Sequence, residues 1–304
     1  MIDAFNNFNG GEVIFHRPLK DLTTFKIGGT SEVFVEPYSL ASAITAYKTA
    51  KKQAPVFILG AGSNILVSDN GYKGTVISVN RLDRINLINK NSVYFECGAK
   101  VSALLHFCVK ENLTGLEFLA GIPATIGGLV AVGAGAFNEN FCSYLTSVTV
   151  LRDGVVTDIE PDFSAVGYRQ TFLKKDDFLL SGVVKLKPAG EYFIKNKIFS
   201  YINRRVAQPK GFSAGSIFKN PDGDYAGRLI EKAGFKGFTV GGAKISEKHA
   251  NFIINYNSAK SRDIVSLISV AKTAVYEKFG VQLLEEIRFL GEFDDYYGGL
   301  PHSY

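Results

Sequence analysis

Ser216 lies in a turn of small residues, Ala214-Gly215-Ser216, with Lys219 and Asn220 close behind it. A hydroxyl with small neighbours is approachable, and a nearby ammonium can bias it towards giving up its proton. Downstream, His249 and Asn251 lead into an apolar run, and near the end Glu285, Glu286 and Arg288 alternate with apolar residues. Upstream, Arg169 sits between aromatic residues Tyr168 and Phe172, after Gly167. A guanidinium held in a cleft stays protonated and can neutralise negative charge that develops during a reaction. Each residue also has a plain structural reading: Ser216 as a loop serine, Arg169 as a surface cation, Glu286 and Arg288 as a solvent-facing strand edge. His249 reads as structural or orienting. None of the four histidines has metal-ligand spacing to another, and there is no Cys/His cluster, so no metal is expected. Ala-Gly-Ser216-Ile-Phe is not the G-x-S-x-G elbow of a Ser-His-Asp hydrolase.

Two glycine-rich segments could hold a ligand on backbone. Leu59-Gly60-Ala61-Gly62-Ser63-Asn64 follows an apolar run, but Ile65 stands where a Rossmann fingerprint needs its third glycine, and the chain continues as strand. What remains is a tight turn whose N–H groups could approach a pyrophosphate because Gly60 and Gly62 lack side chains. The second segment runs from Gly115 through Gly121-Ile122-Pro123-Ala124-Thr125 to Gly128, then to Gly133, Gly135 and Ala136. No Lys-Ser/Thr pair follows, so it is no P-loop. Its glycines suit either a flat heterocycle lying on backbone or close strand packing.

Strands are predicted at Val33–Val35, Val56–Leu59, Thr75–Val79 and Val93–Cys97, with helices over Leu40–Lys52 and Val101–Asn112. Asp153-Gly154 predicts a hairpin between Val148–Arg152 and Val155–Ile159. Phe178–Lys187 reads as a further strand. A basic helix over Ile194–Ala207 ends near Gln208-Pro209. Then come a strand at Phe252–Asn255, a helix over Arg262–Phe279 with Ser261 as N-cap and Gly280 as stop, and a strand over Leu283–Leu290. Alternation along that last strand puts Leu284, Glu286, Arg288 and Leu290 on one side. The main boundary is expected near residues 190–210, and the stretch after Gly291 lacks periodicity, reading as a loose tail or an ordered lid.

At 304 residues, 46% of them apolar and 21% charged, the chain can bury the cores of roughly two domains, or three small ones. The net charge of +5 is spread over pairs such as Lys51-Lys52 and Arg204-Arg205, so anionic small molecules fit better than nucleic acid. Three cysteines without C-x-x-C spacing argue for a reducing compartment. The N-terminal residues have no signal-peptide pattern, and no window nears the ~18 apolar residues of a membrane span. These readings imply a cytoplasmic protein.

In the segment around Ser216, in Leu59–Asn64, in Thr23-Thr24-Phe25-Lys26-Ile27-Gly28-Gly29 and in Tyr168-Arg169-Gln170-Thr171, the chain resembles the UDP-N-acetylenolpyruvoylglucosamine reductases (MurB). The resemblance runs from about Leu19 to Gly291. Gln208-Pro209 and Ser213–Ser216 are similar to the shorter, type II members. It implies an α+β fold: a two-part flavin domain of the PCMH or vanillyl-alcohol-oxidase type (residues 1–75 and 76–195), a smaller α/β substrate domain (196–291) and a tail (292–304). It implies FAD held by Gly28, Gly29, Gly60, Ala61, Gly62, Ser63, Asn64, Gly121, Ile122, Pro123, Thr125, Gly128, Gly135 and Ala136. It further implies substrate contacts from Lys219, Asn220, His249 and Asn251, and catalysis by Arg169, Ser216 and Glu286. The implied activity is NADPH-dependent reduction of the enolpyruvyl group of UDP-N-acetylglucosamine enolpyruvate, through FAD, to UDP-N-acetylmuramate for peptidoglycan synthesis. Ser216 would be the proton donor, and a monomer is favoured. The family motif places its glutamate directly before Val/Ile-Arg, which selects Glu286 over Glu285. Ala124 and Gly133 depart from the family's usual Gly and Asn, and the second departure removes a possible side-chain hydrogen bond. Competing readings are a flavin oxidase of the same fold and a flavin-binding module without catalysis. The first often anchors FAD through a His or Cys that neither glycine-rich loop contains, and the second would be expected to have lost one of the three catalytic residues.

Overall fold

A computed structural model describes residues 2–293; the lid-or-tail expectation falls from Asp294 onward outside the described residues. Local sequence explains much of its secondary structure. Helix α1 (Leu40–Lys51) opens with a capping box, in which the Ser39 and Ser42 hydroxyls each accept the other's backbone N–H. It buries Ala43, Ala46, Tyr47 and Ala50, the stripe that helical periodicity selects. Helices α2 (Val101–Lys110), α3 (Ile126–Ala131), α4 (Glu191–Arg205), α5 (Ala226–Lys232) and α6 (Ser261–Phe279) follow. Strands Leu145–Arg152 and Val155–Ile159 pair about Asp153 (φ +49°) and Gly154 (φ +78°), the two positive φ values that a type I′ turn requires.

Five strands form one sheet in the order Val155–Ile159, Leu145–Arg152, Phe178–Lys185, Ser92–Glu96, Ile85–Asn89, with antiparallel neighbours throughout. A four-stranded sheet runs Gly11–Pro18, Thr30–Pro37, Tyr72–Ser78, Val56–Leu59. The chain divides into two units. The first comprises the residues up to Ile14, Phe34–Ala61 and Val76–Val206; the second comprises Phe15–Val33, Gly62–Thr75 and the chain from Ala207. The second unit is thus built from three stretches far apart in sequence. Its core gathers Phe25, Ile27 and Leu66 with Ile217, Leu229, Ile253, Ile264, Leu267 and Ile287. Asn255 pins two of those stretches: its amide donates to the Phe25 carbonyl (2.9 Å) and accepts from Ala259 N–H (2.8 Å).

Three local expectations are corrected. Ser261 is the first residue of α6, not its cap: its N–H donates to the Asp69 carboxylate and its hydroxyl accepts from Asp69 N–H, while Gly280 (φ +68°) does end the helix. The strand over Phe178–Lys187 breaks at Leu186, whose N–H turns to Asn91. Only Arg288–Leu290 of the stretch 283–290 is strand, paired in parallel with Ile65–Val67. The expected alternation fails with it, since Leu284 is 57% exposed and Leu290 4%. All three cysteines are free and buried, and burial pushes the Cys108 and Cys142 thiols up to about 12, which makes them inert at neutral pH. Among the described residues no helix is long and apolar enough to cross a membrane.

Candidate active site

In the first unit the two glycine-rich segments meet. A Cβ on Gly60 would lie 2.3 Å from the Thr125 hydroxyl oxygen, so no side chain fits there. Thr125 caps α3 by accepting Gly128 N–H (3.2 Å). The next donors at that helix end are spent as well, Ile126 N–H on Ala99 and Gly127 N–H on Cys97. An anion must therefore look elsewhere. Among the described residues, the backbone N–H groups of Gly60 and Ala61 in this unit, and of Gly62, Ser63 and Asn64 in the second, donate to no backbone acceptor. Five successive unspent donors on a glycine turn are the arrangement a diphosphate needs, and so these residues fit the FAD the resemblance implies. Gly121 has φ +83°, and Gly135-Ala136 pairs with Glu139-Asn140 around Phe137 (φ +55°) and Asn138 (φ +65°).

Arg169 is held by that second pairing. Its Nη1 donates to the Gly135 carbonyl (3.1 Å), its guanidinium lies 5.2 Å from the Tyr168 ring centre, and its own φ is +57°. A non-glycine residue in the left-handed region costs strain, of order 1 kcal/mol or more, which the surroundings must hold in place. The departure at Gly133 now has a reason. A Cβ there would come within 2.0 Å of the Gln170 carbonyl oxygen, so the loop carrying Arg169 closes where only glycine allows it. Asn140, which sequence reasoning missed, supplies the amide instead, donating to Gly133 (3.4 Å) and Gly167 (3.1 Å) carbonyls.

In the second unit Ser216–Lys219 is an extended segment between two others. On one side Ile217 N–H donates to Asn251 (2.8 Å); on the other Glu286 N–H donates to Ile217 (2.7 Å) and Lys219 N–H to Leu284 (2.8 Å). One residue, Ile217, therefore ties the Ser216 segment to both Asn251 and Glu286. Asn64 adds a third strap: its Nδ2 donates to the Glu286 carbonyl (3.1 Å) and its carbonyl accepts Arg288 N–H (2.9 Å). The choice between the two glutamates has a structural correlate, because Glu285 is spent on Lys272 of α6 (2.7 Å) in a largely buried ion pair.

The remaining predicted site residues divide. Asn220 Oδ1 accepts Ala226 N–H (3.2 Å) at the start of α5, and Lys219 is half-buried. Asn251 is buried, with both ends of its amide on the Phe218 backbone, accepting from N–H (2.9 Å) and donating to C=O (2.8 Å). Its amide thus positions Phe218. His249 Nδ1 accepts Asn251 N–H (3.3 Å), and its ring meets Phe252 edge-on at 5.0 Å. Asn251→Leu would strand two buried backbone groups at Phe218. The expected loss is roughly 2–6 kcal/mol, at about 1–3 kcal/mol per group, read by urea unfolding of the apoprotein; a loss under ~1 kcal/mol would show that water replaces the amide.

Gly28, Gly29 and Gly62 have packing reasons within the second unit. A Cβ on Gly28 would meet Val67 at 2.5 Å, one on Gly29 the Asp69 carbonyl at 2.4 Å, and one on Gly62 (φ +62°) the Leu22 carbonyl at 2.1 Å. Gly62→Val is therefore expected to destabilise the fold itself, by more than ~3 kcal/mol, since backbone cannot yield and a β-branched residue resists that φ. Circular dichroism melts of the apoprotein check this, and a variant melting within 3 °C of wild type would contradict it.

Known proteins carry the same pattern. A profile of the C-terminal domain of UDP-N-acetylenolpyruvoylglucosamine reductase matches residues 208–290, and an FAD-binding domain profile matches residues 31–159. The chain is 42% identical over 294 residues to the UDP-N-acetylenolpyruvoylglucosamine reductase of Caldicellulosiruptor bescii, covering 94% of this chain and 93% of that one. It is 36% identical over 298 residues to the enzyme of that name from Clostridioides difficile, covering 96% and 97%. The crystal structure of UDP-N-acetylenolpyruvylglucosamine reductase from Thermus caldophilus superposes with a TM-score of 0.80 at 32% identity, over 92% of this chain and 98% of that one.

Proposed function

The chain belongs to the UDP-N-acetylenolpyruvoylglucosamine reductase family, and from that membership we propose how its residues divide the labour. It is an FAD-dependent oxidoreductase of the α+β flavin fold that uses NADPH to reduce the enolpyruvyl group of UDP-N-acetylglucosamine enolpyruvate, yielding UDP-N-acetylmuramate for peptidoglycan. When bound, FAD would supply the hydride chemistry between NADPH and the enolpyruvyl group that the side chains cannot.

The chain's own residues do the rest. The N–H groups of Gly60–Asn64 bind the FAD diphosphate, and Gly121–Thr125, Gly128, Gly135 and Ala136 line the flavin. A vinyl ether accepts a hydride only if its carboxylate polarises the double bond, so charge must be stabilised on an enolate-like centre. Arg169 supplies fixed positive charge for that purpose, and its hydrogen bond to Gly135 aims it. Ser216 gives a proton to the neighbouring carbon, and Glu286 assists at the same centre. Lys219 and Asn220 receive the anionic nucleotide part; Asn251 and His249 hold the Phe218 and Asn251 backbones in place. The observation that carries this reading is the hydrogen bond from Glu286 N–H to Ile217, which joins Ser216 and Glu286 in one assembly while Glu285 is spent on Lys272.

The three buried, unpaired thiols support a cytoplasmic setting. The substrate assignment is tested without oxygen. NADPH should bleach the flavin absorbance, and UDP-N-acetylglucosamine enolpyruvate should restore it with formation of UDP-N-acetylmuramate. A bleached protein whose colour does not return on adding that substrate would overturn it.

A further inference from the structure

Arg205, the last residue of α4, has no ion-pair partner among the described residues. Its Cδ would stand 2.9 Å from a Cβ on Gly121, so its stem fills the space of the missing side chain and lies on the Gly121-Ile122-Pro123 turn. Its Nη2 donates to the Phe118 carbonyl at 3.3 Å, and its guanidinium lies 5.1 Å from the Phe137 ring centre. Among the described residues its Nε is buried with no hydrogen-bond partner. Nearby acids are already engaged. Glu139 accepts from the Tyr144 and Tyr201 hydroxyls, and Glu117 accepts from Thr114 and Gly115 and lies 3.7 Å from Lys197. Burial pushes the guanidinium pKa down from its ordinary value, the mark of a charge desolvated without compensation.

A buried donor left unmatched costs stability, so a protein that keeps one has a use for it. The place is informative: Arg205 rests on the turn assigned above to the flavin. We propose that Arg205 is an FAD ligand, its guanidinium Nε donating to an acceptor atom of the bound cofactor at the Gly121 turn. The inference rests on that assignment of the turn. Packing alone does not explain an arginine here, because a methionine would cover Gly121 equally well and leave no donor stranded.

The contrast gives the test. Arg205→Met keeps the stem and removes the guanidinium. Apoprotein stability in Arg205→Met should equal or exceed wild type, because a desolvated charge has gone. FAD affinity, titrated by quenching of flavin fluorescence on the refolded full chain, should fall about 10- to 100-fold, the range for a lost charge-assisted hydrogen bond. Should Arg205→Met fail to fold, Arg205→Lys keeps the charge without the planar donor and is expected to weaken FAD binding at least ~5-fold, consistent with loss of bidentate-capable geometry. Pro123→Glu, at an exposed position of the same turn, tests the turn itself by placing an acid there. If Pro123→Glu weakens FAD binding and Arg205→Met leaves it within twofold of wild type, the turn keeps its role and the Arg205 proposal is wrong. If neither variant weakens binding, the flavin does not lie at the turn and the proposal falls with that assignment.

Discussion

Ser216→Ala should leave reduction of the flavin by NADPH near wild type and slow its reoxidation by UDP-N-acetylglucosamine enolpyruvate by at least ~10²-fold, the low end for losing a positioned general acid. The separation follows from when the hydroxyl acts: a proton is needed only as the enolate-like centre collapses, after NADPH has left its hydride. The structure makes the substitution clean. The position of residue 216 is set by its neighbours, Ile217 N–H on Asn251 and Glu286 N–H on Ile217, and alanine keeps both. Gly215, at φ +75° with nothing within 4 Å of a would-be Cβ, turns the chain without help from the serine side chain. Stopped-flow absorbance resolves the two halves. A loss below ~10-fold in reoxidation would make Ser216 an orienting residue, with water as the acid. Slowed flavin reduction would overturn the division of roles.

The parts of this fold that sequence made legible are those whose causes are local. Ser39 and Ser42 cap α1 within one turn of helix, and Asp153-Gly154 sets the hairpin by its own backbone preference. The parts it misread have distant causes. The stretch 283–290 was expected to be one strand because apolar and charged residues alternate. Its hydrogen bonds go instead to Ile217, Asn64 and Lys219, partners that no local pattern reveals, and only Arg288–Leu290 keeps strand geometry. Glycine was ambiguous for the same reason. Gly60 and Gly62 look alike in the turn, yet each is fixed by a different neighbour, Thr125 and Leu22. Family resemblance supplied Ser216, Arg169, Glu286 and Asn251, while Asn140 and Ile217, which help hold them, carry no signature because partners such as Gly167, Asn251 and Glu286 lie 27 to 69 positions away.

Glu286→Gln and Glu285→Gln should part stability from rate. The Glu286 backbone is fixed at both ends, its N–H donating to Ile217 and its C=O accepting from Asn64 Nδ2, and glutamine at 286 retains both bonds. What it loses is a carboxyl group that can carry a proton or a charge at the enolpyruvyl centre. Reoxidation of the flavin by the substrate should then slow by roughly 10²-fold with flavin reduction unaffected, matching the Ser216→Ala pattern. Glu285 has the opposite profile. Its carboxylate holds Lys272 of α6, with side-chain exposures of 10% and 20%, so glutamine there leaves a half-buried ammonium short of its partner. The expected cost is ~1–3 kcal/mol, between the values for exposed and fully buried pairs, with both half-reactions near wild type. Thermal melts and stopped-flow traces on the two variants make the comparison within one segment of chain. If Glu285→Gln stops reoxidation while Glu286→Gln only lowers stability, the catalytic carboxylate is Glu285, and the ion pair with Lys272 must open when substrate arrives.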